Sequence, residues 1–100
     1  MQLAEKRFED QIQLDVEGRV DVSNAPALQQ AILLCFQKTN KLTVNLEKTE
    51  YVSSAGIRAF LIGHKTATSK GGQMVIINAT DAVKSVMHVT GFDSVFTFSD

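Results

Sequence analysis

The sequence predicts a single α/β domain built on a mixed, mostly parallel sheet with helices packed against it, and three observations carry that prediction. Short apolar segments with a period of two, Ile12/Leu14/Val16 and Leu42/Val44/Leu46, alternate along the chain with longer segments of helical period. Capping residues and glycines fall at the junctions between them. One hundred residues, 44% of them hydrophobic, suffice for one compact core but not for two, so residues 1–100 are read as one domain.

Taken in order, residues 3–8 are expected to form an edge strand beside residues 12–17, where Gln13, Asp15 and Glu17 alternate with the apolar side chains and Gly18 closes the run. Ser23-Asn24-Ala25-Pro26 offers a capping side chain followed by a proline in the first helical turn, where its missing N–H costs nothing. The helix it opens is expected to run from Ala25 to about Lys38. A strand over Leu42–Leu46 leads through a polar loop, Glu47 to Glu50, to Tyr51 and Val52. A second helix is expected from Ser53-Ser54-Ala55-Gly56 to about Lys70, with Ile57, Phe60, Leu61, His64 and Ala67 or Thr68 facing inward.

Gly71-Gly72 marks the return to Met74-Val75-Ile76-Ile77, a continuous apolar run that reads as a strand buried on both faces or nearly so. Thr80 or Asp81 caps a third helix with Val83, Val86, Met87 and Thr90 inward, and Gly91 ends it. Val95 to Phe98 is read as a last short strand. The expected order is β-β-α-β-α-β-α-β, in which repeated strand-helix-strand units imply right-handed crossovers.

Composition narrows the function. Ten Lys and Arg against eleven Asp and Glu leave a net charge of -1, without the basic field that draws a protein onto nucleic acid or anionic lipid, so neither is expected as a direct partner. The first residues, MQLAEKRFED, lack the apolar core of a targeting peptide, and the longest apolar run is far short of a membrane span. A cytoplasmic protein is expected. The single Cys35, at helical spacing from Leu28, Ile32 and Phe36, reads as core.

The candidate site lies where the second helix begins. Ser53 and Ser54 stand together where one cap would suffice, so one hydroxyl is expected to be spare and exposed. Gly56 falls within the first turn although glycine costs roughly 1 kcal/mol against alanine inside a helix, which points to a close approach. Ser54, Arg58, Ile62 and Lys65 share one outward stripe, two cations mixed with an apolar residue, which fits either a solvated helix face with one stray isoleucine or a partner surface with the serine at its end.

At these residues the chain resembles a known family. LTVNL, a short loop and YVSSAGIRAFL are similar to the signature of the STAS domain, while VEGRVDVSNAPAL and GGQMVIINATDAVKSVMHVTGF resemble that family's first-helix entry and its later strand, third helix and glycine turn. With no transporter region attached, the similarity points to the stand-alone anti-sigma factor antagonists of bacterial partner-switching circuits. The resemblance implies that the unphosphorylated form binds an anti-sigma factor that is also an ATP-binding serine kinase, that phosphorylation reverses binding, and that a serine phosphatase restores it. Ser54 matches the phosphorylated serine.

Many antagonists carry Asp immediately before that serine, where this chain has Ser53, which becomes a second, minor acceptor. The loop of Asp21, Ser23 and Asn24 resembles the family's strand-to-helix loop, in which an acidic residue similar to Asp21 is placed near the partner. Together with Ser53, Ser54, Ala55, Gly56, Arg58, Ile62 and Lys65 it makes up the expected partner surface. Phosphate on Ser54 would sit at a helix N-terminus, a favourable place for an anion, and Arg58 one turn on can add an exposed charge pair.

An enzyme is not expected, nor any cofactor or metal. His64 lies ten residues from Ser54 on the same helix, roughly 15 Å by helical rise and beyond the reach of a general base, and no G-x-S-x-G elbow accompanies His88. Two scattered histidines and one cysteine supply no metal-ligand spacing, and Gly71-Gly72 lacks the rest of a phosphate-binding loop. The rival reading keeps the fold but makes the chain a scaffold subunit of a lipid-transport or stress-signalling complex with Ser54 unmodified. The oligomeric state is left open between monomer and weak dimer.

Overall fold

A computed structural model describes residues 1–99. It contains β1 (Gln2–Arg7), β2 (Ile12–Val20), α1 (Ala25–Phe36), β3 (Lys41–Asn45), β4 (Thr49–Val52), α2 (Ser54–Ser69), β5 (Gln73–Ile77), α3 (Asp81–Val89) and β6 (Thr97–Ser99). The sheet order is β1-β2-β3-β5-β6, with β4 paired to β2. β1 is antiparallel to β2, and every other pairing is parallel. The mixed α/β architecture is the one the periodicities predict, with one strand more.

That strand is β4. Thr49 and Val52 are buried while Glu50 and Tyr51 face outward, so four residues show no apolar alternation and the segment reads as a polar loop. Its buried polar residue is satisfied: Thr49 donates its hydroxyl to the Val16 carbonyl oxygen at 2.6 Å. β4 can pair because β2 does not end at Gly18. With φ +91° and its N–H donating to the Lys48 carbonyl at 2.9 Å, Gly18 kinks the strand, and residues 18–20 continue alongside β4.

Along β2, β3 and β5 the buried side chains, Ile12, Leu14, Val16, Val20, Leu42, Val44, Met74 and Ile76, occupy alternate positions. Against them α1 buries Ala25, Leu28, Ile32, Cys35 and Phe36, and α2 buries Ile57, Ala59, Phe60 and Ala67. Leu61 and His64, expected in that core stripe, are only half-buried, while Ala59 and Gly63 are buried, Gly63 against Ile32 of α1 and Met74 of β5. Burial and the nearby Glu5 push the Cys35 thiol up to about 11, so it serves as core and not as a nucleophile.

Two boundaries and one burial pattern differ from expectation for local reasons. α1 stops at Phe36 because the Lys38 and Thr39 N–H groups both turn back to the Cys35 carbonyl, closing the helix two residues early. Val95 and Phe96 belong to a turn after α3, with Phe96 driven into the core edge-on to His64, and β6 starts only where Thr97 meets Val75. β5 is not buried on both faces: Met74 and Ile76 are buried, while Val75 and Ile77 stay half-exposed.

That second face of the sheet is finished with polar side chains that satisfy one another. Asp15 accepts from Gln13 Nε2 at 2.8 Å and Asn45 Nδ2 at 3.0 Å, and pairs with Lys6 Nζ at 3.2 Å. Burial pushes the Asp15 carboxyl up, but these partners outweigh it and hold it below the ordinary carboxylate value. A carboxyl lowered on folding stabilises above its unfolded pKa, and that contribution is lost as pH falls through the folded value. Melting temperatures are therefore expected to fall with acid below the ordinary Asp value of 3.8, and Asp15→Asn to make that fall shallower. Identical acid slopes in thermal melts of the two proteins would contradict this.

Candidate functional site

The site is assembled where β2 and β4 end side by side. Val20 pairs with Val52, and the Ser53 N–H donates to the Val20 carbonyl at 2.8 Å, which brings the loop after β2 against the start of α2. The two serines then divide the work. Ser53, extended at φ -79° and ψ 172°, is the N-cap, its Oγ accepting the Gly56 N–H at 3.3 Å. Ser54 is the first helical residue and is exposed, and among the described residues its hydroxyl has no hydrogen-bond partner. Its N–H and that of Ala55 point out of the first turn, beyond the helix's own ladder.

Gly56 requires a correction. The close approach that its presence predicts is internal and not to a partner. A Cβ built on Gly56 would lie 2.6 Å from Val52 Cγ1 and 2.8 Å from Val20 Cγ1, and the residue is buried. Gly56 lets α2 settle onto the ends of both strands, and it has no surface to offer a partner.

The loop before α1 is also built differently from expectation. Asn24 occupies the N-cap position but makes no side-chain cap bond. Its Oδ1 instead accepts the Asp21 N–H at 2.9 Å, and its Nδ2 donates to the Arg19 carbonyl at 3.0 Å. Asp21 Oδ1 in turn accepts from the Ser23 hydroxyl at 2.6 Å and from the N–H groups of Ser23 and Asn24 at 3.0 and 3.2 Å. The Ser23 hydroxyl first, and then these backbone donors, hold the Asp21 carboxyl below its usual value. The loop is a self-bonded knot that holds Val22, 77% exposed, outward.

Val22, Ala25, Pro26, Gln29 and Gln30 from this side, and Ala55, Arg58 and Ile62 from α2, line one open groove of about 490 Å³. The structure thus brings Ala55, Arg58 and Ile62 together beside Ser54. Lys65 continues the exposed stripe beyond the groove, and Ser23 is exposed on the adjoining loop. The groove's α1 wall and Val22 were missed in the sequence. The readable signal was Val22 itself, an apolar residue within a Ser, Asn and Asp turn, where no core position is due.

A second hollow, about 520 Å³, lies between α3 and β6 and is lined by Lys84, His88, Asp93 and Phe98. There His88 Nδ1 and Asp93 Oδ2 meet at 2.8 Å, and the hydrogen bond from His88 lowers the Asp93 carboxyl. Among the described residues neither histidine bonds to Ser54, no group of three or more His, Cys, Asp and Glu comes together, and no helix is long and apolar enough to cross a membrane.

The sequence profile of the STAS domain matches residues 4–100. The anti-sigma-B factor antagonist of Bacillus subtilis (strain 168) is 24% identical over 94 residues, which cover 94% of this chain and 86% of that protein. The anti-sigma factor antagonist SpoIIAA in its unphosphorylated form has the same fold, with a TM-score of 0.82 at 13% identity over 99% of this chain and 89% of the other. The Bacillus cell fate determinant SpoIIAA in the phosphorylated form matches with a TM-score of 0.76 at 14% identity, over 99% and 92%.

Proposed function

Because the chain belongs to the STAS domain family, whose anti-sigma factor antagonists are regulatory binding proteins and not enzymes, we propose that it is an anti-sigma factor antagonist switched by phosphorylation of Ser54. In this reading it works in the cytoplasm of a bacterium. The unphosphorylated form binds an anti-sigma factor that is also an ATP-binding serine kinase and so releases the sigma factor. Phosphate on Ser54 breaks the complex, and a serine phosphatase restores it.

The observation that supports this reading is the division between the two serines: Ser53 is engaged as the cap, whereas Ser54 presents an exposed hydroxyl at the rim of the groove. The partner surface comprises the Asp21–Asn24 loop with Val22, and Ala55, Arg58, Ile62 and Lys65 of α2. Interfaces of this kind place an apolar centre within a polar rim, as Val22 and Ile62 are placed here.

The test is phosphorylation with ATP by an anti-sigma factor kinase from the same genome. Trypsin leaves Ser53 and Ser54 together on the peptide from Thr49 to Arg58. Fragmentation of that peptide is expected to place a single phosphate on Ser54, with incorporation lost in Ser54→Ala. An unmodified peptide would reject the proposal and favour an unmodified scaffold subunit, whereas phosphate mainly on Ser53 would reject Ser54 as the switch.

A further inference from the structure

We propose that Arg58 is the residue that holds a phosphate carried on Ser54, and that in doing so it is withdrawn from the partner groove. The inference deepens the switch proposed above and rests on it. Three observations support it. Ser54 and Arg58 are four residues apart on α2 and both are exposed, the spacing at which helical side chains meet on one face. Arg58 makes no ion pair among the described residues, so it has no competing carboxylate to leave. It is also the charged side chain among those lining the groove, whose other walls are Val22, Ala25, Pro26, Gln29, Gln30, Ala55 and Ile62.

The chemistry favours this pairing. A guanidinium presents a planar fork of N–H donors that matches phosphate oxygens two at a time, whereas a serine hydroxyl offers it a single neutral oxygen and no charge. In the unmodified protein Arg58 is therefore free to meet an acidic or carbonyl-rich partner over the groove. Once Ser54 carries two negative charges one turn away, the same side chain folds back along the helix to the phosphate. A single modification then alters the surface twice: it adds an anion at the rim and removes the cation from the groove. Lys65, one turn beyond Ile62 and outside the groove, is too far along the stripe to take over.

The experiment does not depend on a kinase. Phosphoserine is placed at position 54 by genetic encoding, and the phosphate is titrated by ³¹P NMR in the otherwise unchanged protein, in Arg58→Gln and in Arg58→Lys. A clamp favours the dianion, so the second phosphate ionisation is expected at least about 0.3 pH unit lower with arginine than with glutamine, with lysine in between. The Arg58 Nε–H resonance is expected to shift on phosphorylation. Equal titration curves for arginine and glutamine would overturn the clamp. Because binding of the phosphorylated protein to the anti-sigma factor is measured separately, loss of the clamp alone is distinguishable from failure of the switch, in which phosphoserine would leave binding intact.

Discussion

Ser54→Asp is expected to weaken binding to the anti-sigma factor by at least about a hundredfold while leaving the melting temperature unchanged or slightly raised. The two halves of this result have separate causes. In the free protein the side chain is exposed at the first position of α2, where a negative charge meets the positive end of the helix dipole and gains about 0.3–1 kcal/mol. Nothing in the core is disturbed. In the proposed complex the same carboxylate would sit under a partner surface, where an unpaired charge removed from water costs several kcal/mol.

Each 1.4 kcal/mol is a factor of ten, so even a loss of about 2.7 kcal/mol gives the stated effect. Calorimetric titration measures it, with circular dichroism as the control for folding. Ser53→Ala provides the contrast, since it removes the cap bond to Gly56 and should lower stability by about 1 kcal/mol with binding largely kept. A Ser54→Asp protein that binds as tightly as the parent would end the switch proposal.

The second large effect is at Gly56. Gly56→Ala should gain up to about 1 kcal/mol from helix propensity, yet it is expected to destabilise the protein by about 1–2 kcal/mol net. The added Cβ would lie 2.6 Å from Val52 Cγ1 and 2.8 Å from Val20 Cγ1. Both are fully buried β-branched residues with little freedom at χ1, and neither can swing aside. At this chain length the loss corresponds to a melting temperature lower by roughly 5–15 °C.

The mechanism makes a sharper demand in combination. Val52→Ala removes one of the two obstructing methyl groups, so it should cost less in the Gly56→Ala background than in the parent. Additive costs in thermal melts would show that the contact with Val52 is not the cause. Because Gly56 seats α2 on the ends of β2 and β4, the alanine variant should also displace Ser54 relative to the Val22 loop and weaken partner binding beyond what its stability explains.

Much of this was legible in the chain because it depends on neighbours in sequence. The alternation of Ile12, Leu14 and Val16 specifies a strand with one buried face, and the spacing of Leu28, Ile32 and Cys35 specifies a helix that buries one stripe. Thr80 caps α3 through its hydroxyl, accepting the Val83 N–H at 3.3 Å, a bond confined to four residues. The pairing of two serines at the start of α2 likewise announced that one would be spare.

By itself, then, the sequence determined that the protein is an α/β domain of parallel strand-helix-strand units, and it pointed to a candidate site where the second helix begins, since periodicity and caps act within one or two turns of chain. Tertiary structure alone decided the rest. β4 exists because Gly18 turns β2 toward it and because the Val16 carbonyl accepts the Thr49 hydroxyl. Gly56 is needed because Val20 and Val52, 32 residues apart in sequence, converge beneath it. The groove exists because the Val22 loop and α2 are brought together by that same convergence. Contacts between segments far apart in sequence leave no local period, and only the folded chain shows which exposed serine faces which surface.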